Sequence, residues 1–309
     1  MRCHPLFLPA ILANPDDDGP RLVYADWLDE QGDPDLAARG EFIRLQCALA
    51  RPLSEAGPRA AWHERLLELQ ERHEAEWRRE LPKLRGVLWG LYTRGFMGSV
   101  LVQQLRALRR QAAVIFATAP VQEVGLVRLT RRECVALDGC DGLDRISRLR
   151  AVDLGITGEV LRQFLGLSTW ANLRALELFN NPLGEAGVRA LAEAPPPGLR
   201  SLMLGSCELR DEVVTALVGS PVCSGLERLH LNDNRVGDGA ASALAAAPGS
   251  AGLRHLDLAA NWVGDPGALA LAGSPHLERL ESLNLIANFL IGPRGRQALR
   301  ARFGGRVRL

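Results

Sequence analysis

Two histidines and two aspartates are the residues of this chain best placed for proton transfer. His230 and His255 fall on neighbouring predicted strands, near Asp233 and Asp257. A His/Asp pair on one surface can do acid–base work. The companions that such chemistry needs are not legible. The sequence has no GxSxG elbow, no phosphate-cradling Walker loop and no HExxH helix. No nucleophile has an assigned place beside the histidines, and an open sheet admits water. A hydrolase using His230 or His255 is therefore kept as an alternative only, and the chain is expected not to be an enzyme.

A second candidate lies near the N-terminus, where Asn14-x-Asp16-x-Asp18-Gly19 imitates the start of a calcium loop. The twelfth position of such a loop needs a bidentate carboxylate. Here it would be Ala25, and Pro15 sits inside the loop. The acids read better as a helix start plus solvated charge. The six cysteines, Cys3, Cys47, Cys134, Cys140, Cys207 and Cys223, form no CxxC pair and fit no zinc spacing. Buried, reduced thiols are expected, with no metal and no cofactor.

The elements that position these residues come from a repeat. Segments starting at Leu173, Leu199, Leu226, Leu253 and Leu280 share the frame LxxLxLxxNx(L/V), followed by small residues and Ala-Leu. Two degenerate copies precede them, LRAVDLGIT from Leu149 and VGLVRLT from Val124. In LxxLxL the fourth and sixth residues alternate with outward ones, the period of a short strand. Leu176 and Leu178 then point inward, and Ala175, Glu177 and Phe179 point out. The following GEAGVRALAEA reads as a helix with Val188 and Leu191 on one face. Helices between strands imply right-handed crossovers and a parallel sheet. One repeat cannot bury its leucines alone. Stacking does so, at about 1.5–3 kcal/mol per leucine before entropy is subtracted.

Asn181, Asn234, Asn261 and Asn288 follow their strands at the same position, with Cys207 there in the copy from Leu199 and Thr157 in the earlier weak one. A buried bend needs polar partners for its backbone, and a side-chain amide can supply them. The frame and period resemble the leucine-rich repeat of the ribonuclease-inhibitor class, over about the last 190 residues. The resemblance implies an α/β solenoid with parallel strands on a concave face and helices on a convex face. It also implies that Asn181, Cys207, Asn234, Asn261 and Asn288 form a structural ladder. At the C-terminal end, GPRGRQALRARFGGRVRL reads as a capping helix, a Gly-Gly turn and a short strand. Upstream, RGFMGSVLV reads as the first strand, so the solenoid is expected over residues 86–309.

Residues 1–50 differ in texture and predict three helices near 5–13, 19–31 and 35–50. The stretches Asn14-Pro15-Asp16-Asp17, Arg21 to Glu30, Gly32-Asp33 and Arg39-Gly40-Glu41-Phe42-Ile43 closely resemble the repeat-companion domain, a short bacterial module that precedes repeats. That resemblance implies a small all-α domain and no particular activity. An amphipathic helix over 58–80, with Trp62, Leu66, Leu69 and Trp77 as apolar contacts, connects the two within residues 51–85. Residues 1–50 carry nine acids and four arginines, whereas 51–115 carry twelve bases and seven acids. Either these segments pair with each other, or the acidic face meets a partner.

Net charge is +1, and apart from Lys83 every cation is arginine. That balance points to neither nucleic acid nor membrane. The arginines of the last helix and strand read as a solvated cap. With no signal-peptide pattern and no long apolar run, a cytoplasmic monomer is expected. The leading function is binding of a protein partner on the concave face, through Glu177, Phe179, Met203, Arg228, His230, Asn232, Asp233, His255, Asp257 and Asn284. Mixed polar, aromatic and methionine side chains on a rigid scaffold suit such an interface. Trp262, just past a ladder Asn, is an anchor if exposed and packing if buried. The runner-up is a regulator of a GTPase or another enzyme, by analogy of fold with GTPase-activating members of the same repeat class.

Overall fold

The computed structural model describes residues 4–51, 58–130, 134, 140–166 and 170–309. Cys3 and residues 52–57 of the connecting segment lie outside them. The chain packs as two compact units. One comprises residues 1–102 and 107–124, the other residues 103–106 and 125–309.

The first unit opens with α1 (Leu8–Ala13), α2 (Gly19–Glu30) and α3 (Pro34–Ala50), followed by α4 (Arg59–Arg79). Proline stands at the first turn of each of the first three helices, where its missing N–H costs nothing. Asp33 also caps α3, accepting from the N–H groups of Asp35 and Leu36. Gly40 lets α2 and α3 approach closely, since a Cβ there would lie 2.8 Å from the Ala25 carbonyl oxygen. The core joins Ile11, Tyr24, Ala25, Leu28, Ile43 and Cys47 to Phe96. Of the four apolar contacts expected on α4, Leu69 and Trp77 are buried, while Trp62 and Leu66 are half-buried.

After α4 the unit becomes mixed. Strands β1 (Val87–Trp89) and β4 (Ser99–Val102) pair antiparallel. Between them β2 (Tyr92–Thr93) and β3 (Phe96–Met97) form a hairpin. Its two-residue turn, Arg94-Gly95, has φ of 51° and 86°, the left-handed pair that matches strand twist. A helix, α5 (Leu105–Thr118), and strand β5 (Glu123–Leu126) follow.

The second unit alternates short parallel strands with helices, and its strands pair in register. Strands β6 (Arg148–Arg150), β7 (Ala175–Glu177), β8 (Ser201–Met203), β9 (Arg228–His230), β10 (His255–Asp257), β11 (Ser282–Asn284) and β12 (Val307–Arg308) lie in chain order. Leu149, Leu176, Leu202, Leu229, Leu256 and Leu283 align across it. Each is at most 1% exposed, so the leucines form one continuous spine. Helices Gly184–Glu193, Asp211–Val218, Asp238–Ala246, Asp265–Ala272 and Pro293–Phe303 cover the other face. This is a solenoid, with strands on the concave side and helices on the convex side. No helix of the described residues is long and apolar enough to cross a membrane.

The first weak copy lies in a different register from the one expected. Leu149 pairs with Leu176, the fourth position of its repeat, not the first. The copy therefore begins at buried Ile146. Thr157 is not a ladder residue but precedes the helix Gly158–Leu165 as its N-cap. Frame LxxL maps onto itself when shifted by three residues, which is how the register slipped.

Candidate functional site

The strand surface is held in place by the turn that follows each strand. The residue just before the ladder position has a left-handed backbone in every repeat: Asp153, Asn180, Ser206, Asp233, Ala260 and Ala287, with φ between 51° and 61°. Such a bend leaves backbone groups without strand partners, and after every one of them but that at Asp153 the next residue supplies them. The Asn234 amide donates to the carbonyls of Leu204, Leu231 and Asn232 at 2.8, 3.0 and 3.2 Å. Its Oδ1 accepts from the N–H groups of Cys207 and Leu209, both at 3.0 Å. Asn181 makes the same five bonds one repeat earlier, to Ala151, Leu178, Phe179, Leu154 and Ile156. Asn261 and Asn288 continue the series, accepting from Val236 and Val263.

Cys207 stands in the same column. Its thiol donates to the carbonyls of Leu178 and Gly205 at 3.2 and 3.3 Å. Burial pushes that thiol up to about 11, and likewise pushes Cys223 to about 11 and Cys47 to about 12. A thiol at such a pKa carries almost no thiolate at neutral pH. Native protein at pH 8 is therefore expected to leave Cys207 unmodified by dithionitrobenzoate over minutes, whereas urea-unfolded protein reacts. Rapid labelling of Cys207 in the native state, located by peptide mass, would contradict this.

A second ladder, missed from the sequence, runs along the helix starts. Asp211 accepts from the N–H groups of Gly237 and Gly239, Asp238 from Gly264 and Gly267, and Asp265 from Gly292 and Gly295. Each carboxylate thus caps the next repeat's helix, where free N–H groups and the helix dipole favour an anion. Gly239, Gly267 and Gly295 make room for it, since a Cβ at any of them would lie 2.5–2.6 Å from a carboxylate oxygen. The signal was an Asp recurring at a 27-residue spacing, at Asp211, Asp238 and Asp265. Asp238→Ala is expected to cost about 1–2 kcal/mol, the range of a lost helix cap. A urea midpoint unchanged from wild type would refute the capping role.

Three rows of side chains run across the concave side. One reads Arg148, Ala175, Ser201, Arg228, His255 and Ser282; the next reads Arg150, Glu177, Met203, His230, Asp257 and Asn284. The third, just past the strands, includes Phe179, Gly205, Asn232, Ala259 and Ile286. Arg228 is exposed; Glu177, Met203, His230, Asn232, His255, Asp257 and Asn284 are half-buried. Ala175 and Ser201, read as outward, are buried, because short side chains sit low between the arginines of their row. Phe179 packs over Gly205, where a Cβ would lie 2.7 Å from both the ring and the Asn232 Oδ1. Asp233 is exposed and accepts from the Ser206 hydroxyl at 2.6 Å.

The row is cross-linked by charge. Glu177 takes Arg150 at 2.9 Å and Arg148 at 3.8 Å. Asp257 accepts from the Ala259 N–H at 2.9 Å and the Asn284 amide at 3.1 Å, leaving His230 at 4.0 Å. His255 lies 3.8 Å from Glu281. Burial lowers the His230 pKa, against the pull of Asp257, so its ring is neutral at pH 7. Asp257 is thus committed to backbone and Asn284 and does not orient His230 as a general base. What this surface offers is an ordered set of donors and acceptors.

The acidic N-terminal segment is also accounted for within its own unit. Asp18 pairs with Arg94 in the hairpin turn, and Asp17 accepts from the Gly19 N–H at 2.9 Å. Glu41 meets Arg65 at 2.8 Å, and His73 lies 3.5 Å from Asp35. Pairing between the segments, one of the two readings of the charge imbalance, is present at Asp18–Arg94 and Glu41–Arg65. Among the described residues, no cluster of His, Cys, Asp or Glu has the arrangement to hold a metal ion.

A family model described as a leucine-rich repeat matches residues 171–192, 222–245 and 252–272. No curated protein matches the chain. Among solved structures, the chain is similar to an internalin, InlF, of Listeria monocytogenes strain 4b F2365. The identity there is 16% over 64% of this chain and 49% of the other, with a TM-score of 0.42. The chain thus spans about half the length of that internalin. It is also similar to the Rad7 and Elc1 complex of yeast, at 13% identity over 93% of this chain and 77% of the other, with a TM-score of 0.45. Leucine-rich repeats are therefore present in the C-terminal region, and the second unit is a solenoid built from them.

Proposed function

We propose that the repeat unit is a protein-interaction module whose partner seats on the concave strand face. Leucine-rich repeats support the module. What supports this face is Ile286 in its third row, with exposed apolar side chains on the neighbouring bends. Trp262 is 58% exposed, Ile286 47%, Phe289 89% and Leu290 66%. Ile286 belongs to the third concave row, and Trp262 and Phe289 each follow a ladder Asn. Aromatic anchors beside a polar, pre-ordered row are the composition of an interface core and its rim. Surface patches of this kind are uncommon on proteins that bind nothing. We read the N-terminal helices, residues 1–50, as a repeat-companion domain on the strength of their motifs.

The test uses immobilised full-length chain as bait in an extract of the source cells. Proteins retained by the wild type are expected to be lost from Met203→Glu/His230→Glu bait and kept by Val213→Glu bait, altered on the convex side. Retention that survives the concave substitutions and fails with the convex one would overturn the reading.

A further inference from the structure

The first unit contains a cavity of about 670 Å³ that the repeat surface does not involve. It lies among α1, α4, the β2–β3 hairpin and α5. Its volume falls within the range of small-molecule sites, about 300–1,000 Å³. Trp77, Tyr92 and Phe96 form an aromatic side, and Val114 and Ala117 on α5 form part of its edge. The aromatic side is held rigid by Arg39. Its guanidinium carbon lies 4.6 Å from the Trp77 ring centre, 5.1 Å from Tyr92 and 5.9 Å from Phe96. Arg39 also donates to the Gly95 carbonyl in the hairpin turn. These cation–π contacts fix the rings before anything binds, which lowers the entropy a ligand must overcome.

Two features select the ligand. The charged lining consists of Arg39 and Glu80, one of each sign. An ion would therefore enter an apolar enclosure with no net counter-charge, at a heavy desolvation cost. The Tyr92 hydroxyl is buried in the wall beside Arg39 and offers the cavity no accessible donor. Burial raises its pKa, so it stays uncharged. We propose that this cavity binds a neutral, largely apolar small molecule that stacks on its aromatic side.

The probe is 6-propionyl-2-dimethylaminonaphthalene, a neutral aromatic ketone whose emission reports both polarity and hydrogen bonding. Titrated against the full chain, it is expected to bind saturably at one site with quenching of tryptophan fluorescence. Ala117→Trp and Val114→Trp, both on the exposed edge of the cavity, should each reduce affinity at least about tenfold. Ala113→Trp, exposed on the same helix but outside the cavity, should not. Thermal midpoints identify any variant that fails to fold, and two filling variants guard against losing one. Non-saturable binding to wild type, or equal affinity in a folded Ala117→Trp or Val114→Trp chain, would overturn the proposal.

Discussion

Asn234→Ala is expected to destabilise the solenoid by about 3–5 kcal/mol, the largest effect of any single substitution outside the leucine spine. The amide makes five hydrogen bonds, three donated and two accepted. Alanine leaves the N–H groups of Cys207 and Leu209 without that acceptor in a bend that excludes water, and each such loss costs about 1–3 kcal/mol. Partial relaxation of the turn keeps the total below the simple sum. Asn234→Asp is the sharper variant. It keeps the shape and both acceptor roles but cannot donate to the three carbonyls, and it places a charge where Asn234 is only 8% exposed. Its loss should match or exceed that of alanine at pH 7 and shrink as the carboxyl protonates at low pH. Cys207→Ala, which removes one weak thiol donor shared between two carbonyls, should cost less than half as much. Urea denaturation followed by circular dichroism gives the magnitudes. Hydrogen exchange at Cys207 and Leu209 should show lost protection in Asn234→Ala, and unchanged protection there would contradict the ladder's role.

Trp262→Ala and Phe289→Ala are expected to weaken binding of the retained partner by about 10–100-fold each, the penalty of a removed aromatic hot spot. Both side chains are exposed, so stability should change by no more than about 0.5 kcal/mol. That split separates an interface from a packing role. Equal affinity in both variants by titration calorimetry would remove these residues from the interface. A fall of several degrees in the thermal midpoint would show that they hold the fold instead.

The parts of this molecule that were readable in its sequence are those whose physics repeats locally. Each strand buries two alternating leucines in every strong copy, and the bend that follows uses an amide in all of them but the Cys207 copy. The N-terminal helices were also readable, because Pro, Asp and Gly mark their ends: the structure begins α2 at Gly19 and α3 at Pro34. What escaped was set by contacts across repeats or between distant segments. Asp238 looks like an ordinary acid in a first helical turn, but the N–H groups it caps belong to Gly264 and Gly267. Arg94 gives no hint of a left-handed turn residue, because arginine seldom adopts that conformation. The cavity draws its walls from helices and a hairpin more than a hundred positions apart in part, which no local pattern records. Even the strand rows needed coordinates, since only the structure shows Asp257 engaged by Asn284, with His230 at 4.0 Å.

The account rests on the concave rows being the surface that meets another protein. Photo-crosslinking tests this most directly, with a benzophenone amino acid placed at Met203 on the concave row or at Val213 on the convex side, in the source cells. The prediction is a discrete higher-mass adduct with a second protein from position 203 and none from position 213. Adducts from position 213 alone, or an uncrosslinked chain from both, would contradict it.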